Sequence, residues 1–293
     1  ENCRNTSYSV AEKELVSFIR DELGFDVKEN VYIKGINGSR DYNLDMVIPS
    51  KGIAFEYNGL YWHTEEIHLA TYHKNKLDAA LNYGIRVYTV WEDTYLEKPD
   101  LVKNFIKQKL GVSDLEKVNA RDCVINMEKY SDVKDFVNKY HYLGMRGGSY
   151  YLTLRDKNNK LRAVMIFTDA MNGDLCDITR YCTDCNLRGG FSKILKYIED
   201  NGTYGLITTF SDNMLSDGEL YKNNGFDVLK KIPCDFYYLI NNKRVNRQSI
   251  NKEWFLHHGY EYIEEMSEVE LAGYNGIKRI YDAGKIKWYK KIK

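Results

Sequence analysis

The sequence predicts two mixed α/β domains with a boundary near residues 111–119. Its 293 residues exceed the usual size of one hydrophobic core, so two domains of ordinary size are expected. Short strand-like runs and helix-like runs alternate in both halves, which is the pattern of mixed α/β folds. Residues 111–119 are polar and carry no periodic pattern. Residues 1–8 begin without Met and are predicted to be the tail of a longer upstream segment.

The first predicted domain covers residues 9–115. Apolar residues recur at helical spacing from Ser9 to Leu23, and residues 72–83 have a helical pattern. A polar helix is predicted from Pro99 to Leu110. The predicted strands are 27–33, 44–48, 52–57 and 85–91. The resulting order is α-β-β-β-α-β-α.

The second predicted domain covers residues 120–293. It starts with a helix over 133–140, and a glycine pair precedes a second helix over 192–200. The predicted strands of this domain are 149–154, 161–168, 177–181 and 205–211. The domain is therefore expected to be mixed α/β as well.

Composition indicates a cytoplasmic protein that does not enter a membrane. Hydrophobic residues make up 43% of the chain and charged residues 29%, without an apolar run near the roughly 20 residues of a membrane span. The formal charge is zero, with 42 basic and 42 acidic residues, so any nucleic-acid-binding face must be local. Six cysteines without a secretory signal predict free thiols. Cys182 and Cys185 have a metal-like spacing, but a structural zinc site normally needs four ligands.

Two carboxylates suggest a metal site in the first domain. Asp45 ends one predicted strand and Glu56 lies on the next, so a hairpin can bring both within reach of one divalent ion. Hard oxygen ligands suit Mg²⁺, and Mn²⁺ is expected to substitute. Such an ion can polarise a phosphate and activate a bound water. The alternative is that Asp45 is an ordinary acid near a turn and Glu56 an exposed strand residue.

Three motifs in order carry a resemblance to a known family. They are Leu44-Asp-Met-Val47, Gly59-Leu-Tyr-Trp-His63 and Tyr83-Gly-Ile-Arg-Val-Tyr-Thr-Val-Trp-Glu92. Together they resemble the very-short-patch-repair endonucleases and related phage homing endonucleases, which have the PD-(D/E)XK fold. The resemblance covers roughly residues 9–110. It implies a Mg²⁺-dependent DNA endonuclease, site- or structure-directed and phage-encoded, that acts on DNA in the host bacterial cytoplasm.

The same resemblance implies roles for individual residues. Asp45 matches the metal-binding aspartate, and Glu56 matches the second carboxylate of the PD-(D/E)XK pattern. His63 matches the histidine of the W-H element, expected near the scissile phosphate as acid, base or charge stabiliser. Glu12 resembles the helix glutamate that completes the metal site, with Glu14 as the alternative.

One position departs from the family pattern. Asn58 stands where the pattern usually has Lys, which leaves open the group that positions the attacking water. His73 and Lys76 lie three apart on one helical face and are candidates for the missing basic role. The alternative for His73 is a surface helix residue. Trp62 and Trp91 are predicted to be core residues rather than base-stacking ones.

The C-terminal half is similar in pattern to the acyl-CoA N-acyltransferases (GNAT fold). The similar positions are Ala120-Arg121, Asn138-Lys-Tyr-His141, Thr179-Arg180, Arg188-Gly-Gly-Phe-Ser-Lys193, Ser211-Asp212, Ser216-x-Gly-x-x-Tyr221, Gly225-Phe226 and Ile280-Tyr-Asp-Ala-Gly284. In acyltransferases a Gly-rich turn at a helix N-terminus binds pyrophosphate through backbone N–H groups. Arg188-Gly-Gly departs from the usual R-x-x-G-x-[GA] spacing, and no cofactor-binding residue is assigned from it.

DNA recognition is the predicted role of this second domain. Arg188 and Lys193 are candidate phosphate contacts, and Lys243, Arg244 and Arg247 are interleaved with aromatic residues as on a nucleic-acid-binding face. Two alternatives stay open for the domain, acyl transfer and a structural or protein-binding role. For the whole chain, the alternatives to the endonuclease are an acyl-CoA-dependent transferase that modifies DNA and a non-catalytic nucleic-acid-binding protein.

Overall fold

The computed structural model describes residues 10–36, 40–170 and 173–292 of the chain. They form two compact units. The first unit holds the described residues of Glu1–Glu97 together with Pro233–Gly284. The second holds Lys98–Ile232 together with the end of the chain from Lys285. We call Pro233–Gly284 the insertion, because it interrupts the sequence of the second unit but belongs to the first.

This division differs from the predicted domains, 9–115 and 120–293, which are continuous segments. The helix at Pro99–Leu110 belongs to the second unit, and the insertion belongs to the first. Local periodicity identifies helices and strands, but it does not show which core they join, since that depends on contacts between distant residues. The predicted tail at residues 1–8 and the predicted helix start at Ser9 lie outside the described residues.

Apart from the first helix, which ends at Ser17 rather than Leu23, the predicted helices and strands lie within three residues of the observed ones. The helices, in chain order, are α1 (Val10–Ser17), α2 (Tyr72–Asn82), α3 (Glu92–Glu97), α4 (Pro99–Leu110), α5 (Tyr130–Tyr140), α6 (Gly190–Asn201), α7 (Glu219–Lys222), α8 (Lys252–His257) and α9 (Glu268–Tyr274). The strands are β1 (Lys28–Ile33), β2 (Tyr42–Ile48), β3 (Ile53–Asn58), β4 (Arg86–Trp91), β5 (Lys117–Asn119), β6 (Val124–Glu128), β7 (Tyr150–Arg155), β8 (Leu161–Ala170), β9 (Leu175–Thr183), β10 (Asn186–Arg188), β11 (Leu206–Asp212), β12 (Asp227–Ile232), β13 (Phe236–Ile240), β14 (Lys243–Asn246), β15 (Lys278–Tyr281) and β16 (Lys285–Lys291). The structure adds elements that were not predicted, among them α3, β5, β6, β10 and every helix and strand after β11.

The first unit is built on a four-stranded sheet in the order β1-β2-β3-β4. The first three strands are antiparallel, and a 3₁₀ turn at Pro49–Lys51 joins β2 to β3. β3 and β4 are parallel, because α2 carries the chain back across the sheet between them. Ala79 and Ala80 of α2 pack with Leu44 and Val87 of the sheet in one buried cluster. The sheet and α2 therefore hold the residues of the predicted metal site on rigid elements.

The second unit is built on a seven-stranded mixed sheet in the order β12-β16-β11-β9-β8-β7-β6. β9 and β11 are parallel and are connected through α6, whose Ile194 and Ile198 lie in the main core cluster. Val133 and Val137 of α5 pack with Ile166 of β8 in a separate cluster. The mixed α/β class predicted from the sequence is therefore confirmed.

The insertion has its own small sheet and core. Its strands lie in the order β14-β13-β15, and α8 and α9 pack beside them. Tyr238, Phe255 and Leu271 are almost fully buried in this core. Among the described residues, no helix is long and apolar enough to cross a membrane.

Candidate functional site

Two carboxylates meet at one end of the β2–β3 strand pair. The register Met46↔Phe55 places Asp45 and Glu56 next to each other on neighbouring strands. The Asp45 N–H donates to Glu56 Oε1 at 3.3 Å, and the Tyr57 N–H donates to Asp45 Oδ2 at 2.9 Å. The hairpin inferred from the sequence thus brings these two acids together.

A buried ammonium group completes this cluster. Lys76 on α2 forms an ion pair with Glu56, and the two residues are 6% and 3% exposed. Lys76 faces the sheet because it shares the buried face of α2 with His73, Leu77 and Ala80. Of the two basic candidates on this helix, Lys76 is the one that reaches a carboxylate. We call Asp45, Glu56 and Lys76 the charged cluster.

Burial and neighbouring charges alter the acidity of this cluster. Burial, followed by the negative charge of Asp45, raises the pKa of Glu56 to about 8, while the Lys76 ammonium opposes this shift. Burial lowers the pKa of Lys76, but the carboxylates of Glu56 and Asp45 outweigh this effect and raise it. Lys76 therefore stays charged at neutral pH. When both carboxylates are ionised the cluster carries one net negative charge, which a bound cation would offset.

Asn58 is the buried neighbour of this cluster on β3. It is 1% exposed, and its Nδ2 atom has no hydrogen-bond partner among the described residues. A buried amide nitrogen without a partner is costly, so a ligand oxygen or a water molecule at this point would stabilise it. Asn58 is uncharged, and the ammonium group beside the two carboxylates comes from Lys76.

Three histidines lie together beside the charged cluster. The rings of His63 and His73 are stacked with centroids 4.9 Å apart, and His68 lies 5.2 Å from His63. We call these three residues the histidine cluster. Trp91 forms one wall, 5.4 Å from the His73 ring. The atoms His63 Nδ1, His68 Nδ1 and His73 Nε2 are buried and have no hydrogen-bond partner in the described ranges 10–36, 40–170 and 173–292. The sequence assigned no role to His68, and only its place after the W-H element could have suggested one.

The histidine cluster is uncharged at neutral pH. Burial, then the nearby Lys76 ammonium, lowers the pKa of His73 to about 3. Burial and the Arg40 guanidinium lower the pKa of His68 to about 4. Burial lowers the pKa of His63 well below its usual range, and His73 adds to the effect. These rings can therefore donate or accept hydrogen bonds but carry no charge.

The turn that carries His63 also exposes two aromatic residues. Tyr61 and Trp62 are 57% and 65% exposed, and their rings meet edge to face at 5.2 Å. The core position predicted for Trp62 is therefore wrong, because the 3₁₀ turn Tyr61–His63 lies outside the sheet. Trp91 on β4 is 3% exposed and is a core residue as predicted.

The first helix does not add a third ligand to the carboxylates. Glu14 accepts a hydrogen bond from Tyr95 Oη at 2.9 Å. Within the described part of the chain, no group of three or more His, Cys, Asp or Glu side chains is placed to hold a metal ion, with or without Glu12. Mg²⁺ commonly takes only one or two carboxylates and completes its shell with water and phosphate oxygens. Asp45 and Glu56 therefore fit Mg²⁺ or Mn²⁺, whereas the proposed contribution of Glu12 has no structural support.

The basic residues of the insertion have partners inside the first unit. Arg244 binds Asp93 in a bidentate ion pair at 2.9–3.1 Å. Lys243 pairs with Glu97, and Arg247 pairs with Asp235 at 3.1 Å. Their predicted DNA contacts are untested, and the contacts that the structure shows are internal.

Arg188 and Lys193 lie together in the second unit. They line an open pocket of about 710 Å³ at the N-terminus of α6 with Arg121, Gly189 and Ser192. Lys193 Nζ donates to the carbonyl oxygen of Ala120 at 2.9 Å, which fixes its side chain. Gly189 has a φ of 73°, a left-handed conformation that favours glycine. The pocket joins exposed cationic side chains to the positive end of a helix, which suits a phosphate group.

Comparisons with known proteins give matches among solved structures alone. No protein-family profile matches the sequence, and no curated protein matches it. The chain is similar to a ribosomal-protein-S5-alanine acetyltransferase from Vibrio fischeri, with 10% identity, a TM-score of 0.35, and coverage of 58% of this chain and 93% of that one. A GNAT-family acetyltransferase from Bacillus anthracis has 12% identity, a TM-score of 0.34, and coverage of 58% and 95%. The spermidine/spermine N-acetyltransferase SpeG from Vibrio cholerae, in complex with manganese ions, has 7% identity, a TM-score of 0.33, and coverage of 59% and 94%.

These comparisons contradict the predicted enzyme class. The sequence predicts a Mg²⁺-dependent DNA endonuclease, whereas the structures just named are N-acetyltransferases and not hydrolytic nucleases. The endonuclease prediction comes from about a third of the chain, while the matches cover 58–59% of it. The PD-(D/E)XK, very-short-patch-repair and phage assignments stay predictions. Identities of 12% or less and TM-scores below 0.5 transfer no substrate or activity to this chain.

The histidine cluster makes stability depend on pH. The pKa of His73 is about 3 in the folded protein, against about 6.5 for an unperturbed histidine, so its stabilising effect is complete above pH 6.5 and is lost as pH falls towards 3. In metal-free buffer, we expect His73→Phe to reduce the fall in unfolding free energy between pH 6 and pH 4 by about 1.4 kcal/mol per pH unit. Urea unfolding at several pH values measures this slope. Leu77→Val changes packing on the same helix and should leave the slope unchanged. An equal slope in His73→Phe and the parent would contradict the assignment.

Proposed function

We propose that the protein binds DNA, and that its first unit holds a divalent cation between Asp45 and Glu56 against a phosphate group. The charged cluster carries this proposal, because a buried set of two carboxylates and one ammonium group is suited to a cation and a phosphate together. A bound Mg²⁺ or Mn²⁺ would offset the carboxylates and bond a phosphate oxygen. Lys76 would then pair with a second phosphate oxygen as a point charge.

The histidine cluster and Asn58 supply neutral hydrogen-bonding groups at the same site. Four buried side-chain nitrogens, Asn58 Nδ2, His63 Nδ1, His68 Nδ1 and His73 Nε2, have no hydrogen-bond partner within the part of the chain that the structure describes. Phosphate and sugar oxygens are the groups that proteins most often contact on DNA. A DNA backbone at this point would give these nitrogens partners, and their neutrality avoids competition with the divalent cation for the carboxylates.

Tyr61 and Trp62 extend the proposed binding site from the backbone to the bases. Both lie one or two residues before His63, and both rings are more than half exposed. Base–aromatic stacking contributes about 1–3 kcal/mol for each base. The exposed aromatic pair therefore fits a base at the rim of the site, with the phosphate at the charged cluster.

The first test measures whether a divalent cation is coupled to DNA binding. For the parent protein, we expect Mg²⁺ to strengthen binding of fluorescein-labelled DNA roughly 5- to 150-fold relative to EDTA, the usual range of coupling between two ligands. Glu56→Gln removes a charged ligand and should bind equally in Mg²⁺ and in EDTA. Fluorescence anisotropy measures both affinities. Asp78→Asn, which removes a surface carboxylate paired with Lys74 on the same helix, is the matched control. A full Mg²⁺ effect in Glu56→Gln would reject the proposed site.

The second test concerns stacking by Trp62. Trp62→Ala should weaken DNA binding by about 1–3 kcal/mol, and Trp62→Phe should restore most of the loss. Tyr32→Ala removes an aromatic ring that is 71% exposed on the edge strand β1 and should change affinity little. Equal affinities for Trp62→Ala and Tyr32→Ala would show that the exposed tryptophan does not contact DNA.

A second candidate function, binding of an acyl-CoA-type ligand, is proposed for the second unit. The pocket at the N-terminus of α6 supports it. Arg121, Arg188 and the helix N-terminus would bind the phosphates of an acyl-CoA-type ligand. Acetyl-CoA at one hundred times its Kd should then stabilise the protein by about 2.7 kcal/mol, seen as a rise in Tm. Arg188→Ala should reduce the rise, whereas Lys157→Ala, an exposed cation in the turn after β7, should not. An unchanged Tm at millimolar acetyl-CoA would exclude this ligand.

A further inference from the structure

The insertion is joined by backbone to the segment that carries His63. We call Leu60–His68 the site loop. Thr64 of this loop forms an antiparallel bridge with Ile280 of β15, and both residues are fully buried. The Glu65 N–H donates to the carbonyl oxygen of Arg279 at 2.9 Å. The site loop, which contains no helix or strand beyond one 3₁₀ turn, therefore takes part of its hydrogen bonding from residues more than 200 positions away.

Opposite charges reinforce this junction. Arg279 forms an ion pair with Glu65, and both side chains are about a quarter exposed. Its backbone N–H also donates to Glu65 Oε1 at 3.2 Å. Lys278 pairs with Glu66 at 2.5 Å and lies 5.1 Å from the centre of the Tyr61 ring. The loop thus meets the insertion through two charge pairs that directly follow the backbone bridge.

A second contact from the insertion reaches the wall of the histidine cluster. The Arg244 guanidinium lies 4.5 Å above the Trp91 ring, held there by its bidentate pair with Asp93. It also donates to Thr94 Oγ1 at 2.9 Å. Trp91 also contacts His63 at 5.9 Å and His73 at 5.4 Å, both edge to face. The cation–π contact with Arg244 restrains the tryptophan and, through it, the two histidine rings.

We propose that the insertion is a positioning element for the ligand site of the first unit, and that Arg279 is its main positioning residue. It holds the site loop so that His63 faces the charged cluster and Trp62 faces outward. This inference rests on the proposed DNA-binding function. It assigns the basic residues of β15 to holding the loop rather than to contacts with phosphate.

The dependence of DNA affinity on salt concentration distinguishes a residue that holds the site loop from one that contacts phosphate. If Arg279 contacted a phosphate, its loss would remove about one released counterion from the slope of log K against log salt. A positioning residue contacts no phosphate, so its loss should lower affinity at every salt concentration and leave the slope unchanged. Partly buried, hydrogen-bonded ion pairs are also screened less by salt than exposed ones.

The experiment compares three variants in the full chain. Arg279→Ala breaks the pair with Glu65, and Arg279→Glu combined with Glu65→Arg restores it with the charges exchanged. Arg247→Ala is the matched control, because its partner Asp235 lies within the insertion and does not touch the site loop. Hydrogen exchange of the Glu65 amide reports loop position without DNA, and anisotropy at several salt concentrations reports affinity.

We expect Arg279→Ala to speed exchange of the Glu65 amide and to weaken DNA binding roughly tenfold with an unchanged salt slope. The exchanged pair should recover both properties, and Arg247→Ala should retain them. A salt slope lowered by about one, or unchanged amide exchange, would overturn the positioning role. Faster exchange with unchanged DNA affinity would overturn the link between loop position and ligand binding. Absence of DNA binding by the parent protein would instead reject the proposed function, so the two failures are distinct.

Discussion

The buried ion pair between Glu56 and Lys76 is the interaction on which the first unit depends. It joins a buried side chain of the sheet to a buried side chain of α2, with Asp45 alongside. A buried pair of this kind contributes little net stability, and removal of one partner leaves a costly uncompensated charge. Its presence is therefore better explained by the ligand it can bind than by folding. The neutral histidines, the unpartnered Asn58 amide and the exposed aromatic turn all surround this one charged cluster.

Sequence patterns predicted most of the longer helices and strands up to residue 211, because helix and strand periodicity is local, but none of the elements of the insertion. They also placed Asp45 and Glu56 on adjacent strands. The basic residue of this cluster was harder to predict. Asn58 occupies the position where the family pattern has Lys, and the ammonium group comes instead from Lys76 on α2. Trp62 was assigned to the core because large aromatics near strands are usually buried, yet it lies in a turn outside the sheet. No local pattern reveals that Arg244 meets Asp93 from 151 residues away.

In the second unit the fold is better defined than the reaction or the ligand. Its mixed sheet has β9 and β11 joined through α6, and the predicted hydrolase class is contradicted by comparisons with N-acetyltransferases. Fold alone does not define an activity. The pocket at the N-terminus of α6 has the charge and backbone geometry for phosphate, which is common to coenzyme and nucleic-acid ligands. Function in this unit must therefore be argued from what that pocket binds.

Anomalous diffraction from crystals of the protein with Mn²⁺ and a DNA oligonucleotide tests the central claim most directly, since Mn²⁺ can be located by its own signal. The account predicts one Mn²⁺ peak within about 2.2 Å of carboxylate oxygens of Asp45 and Glu56, and a DNA phosphate oxygen in the same coordination shell. Bound DNA with no Mn²⁺ at these two carboxylates, or Mn²⁺ there with the DNA elsewhere, would contradict it.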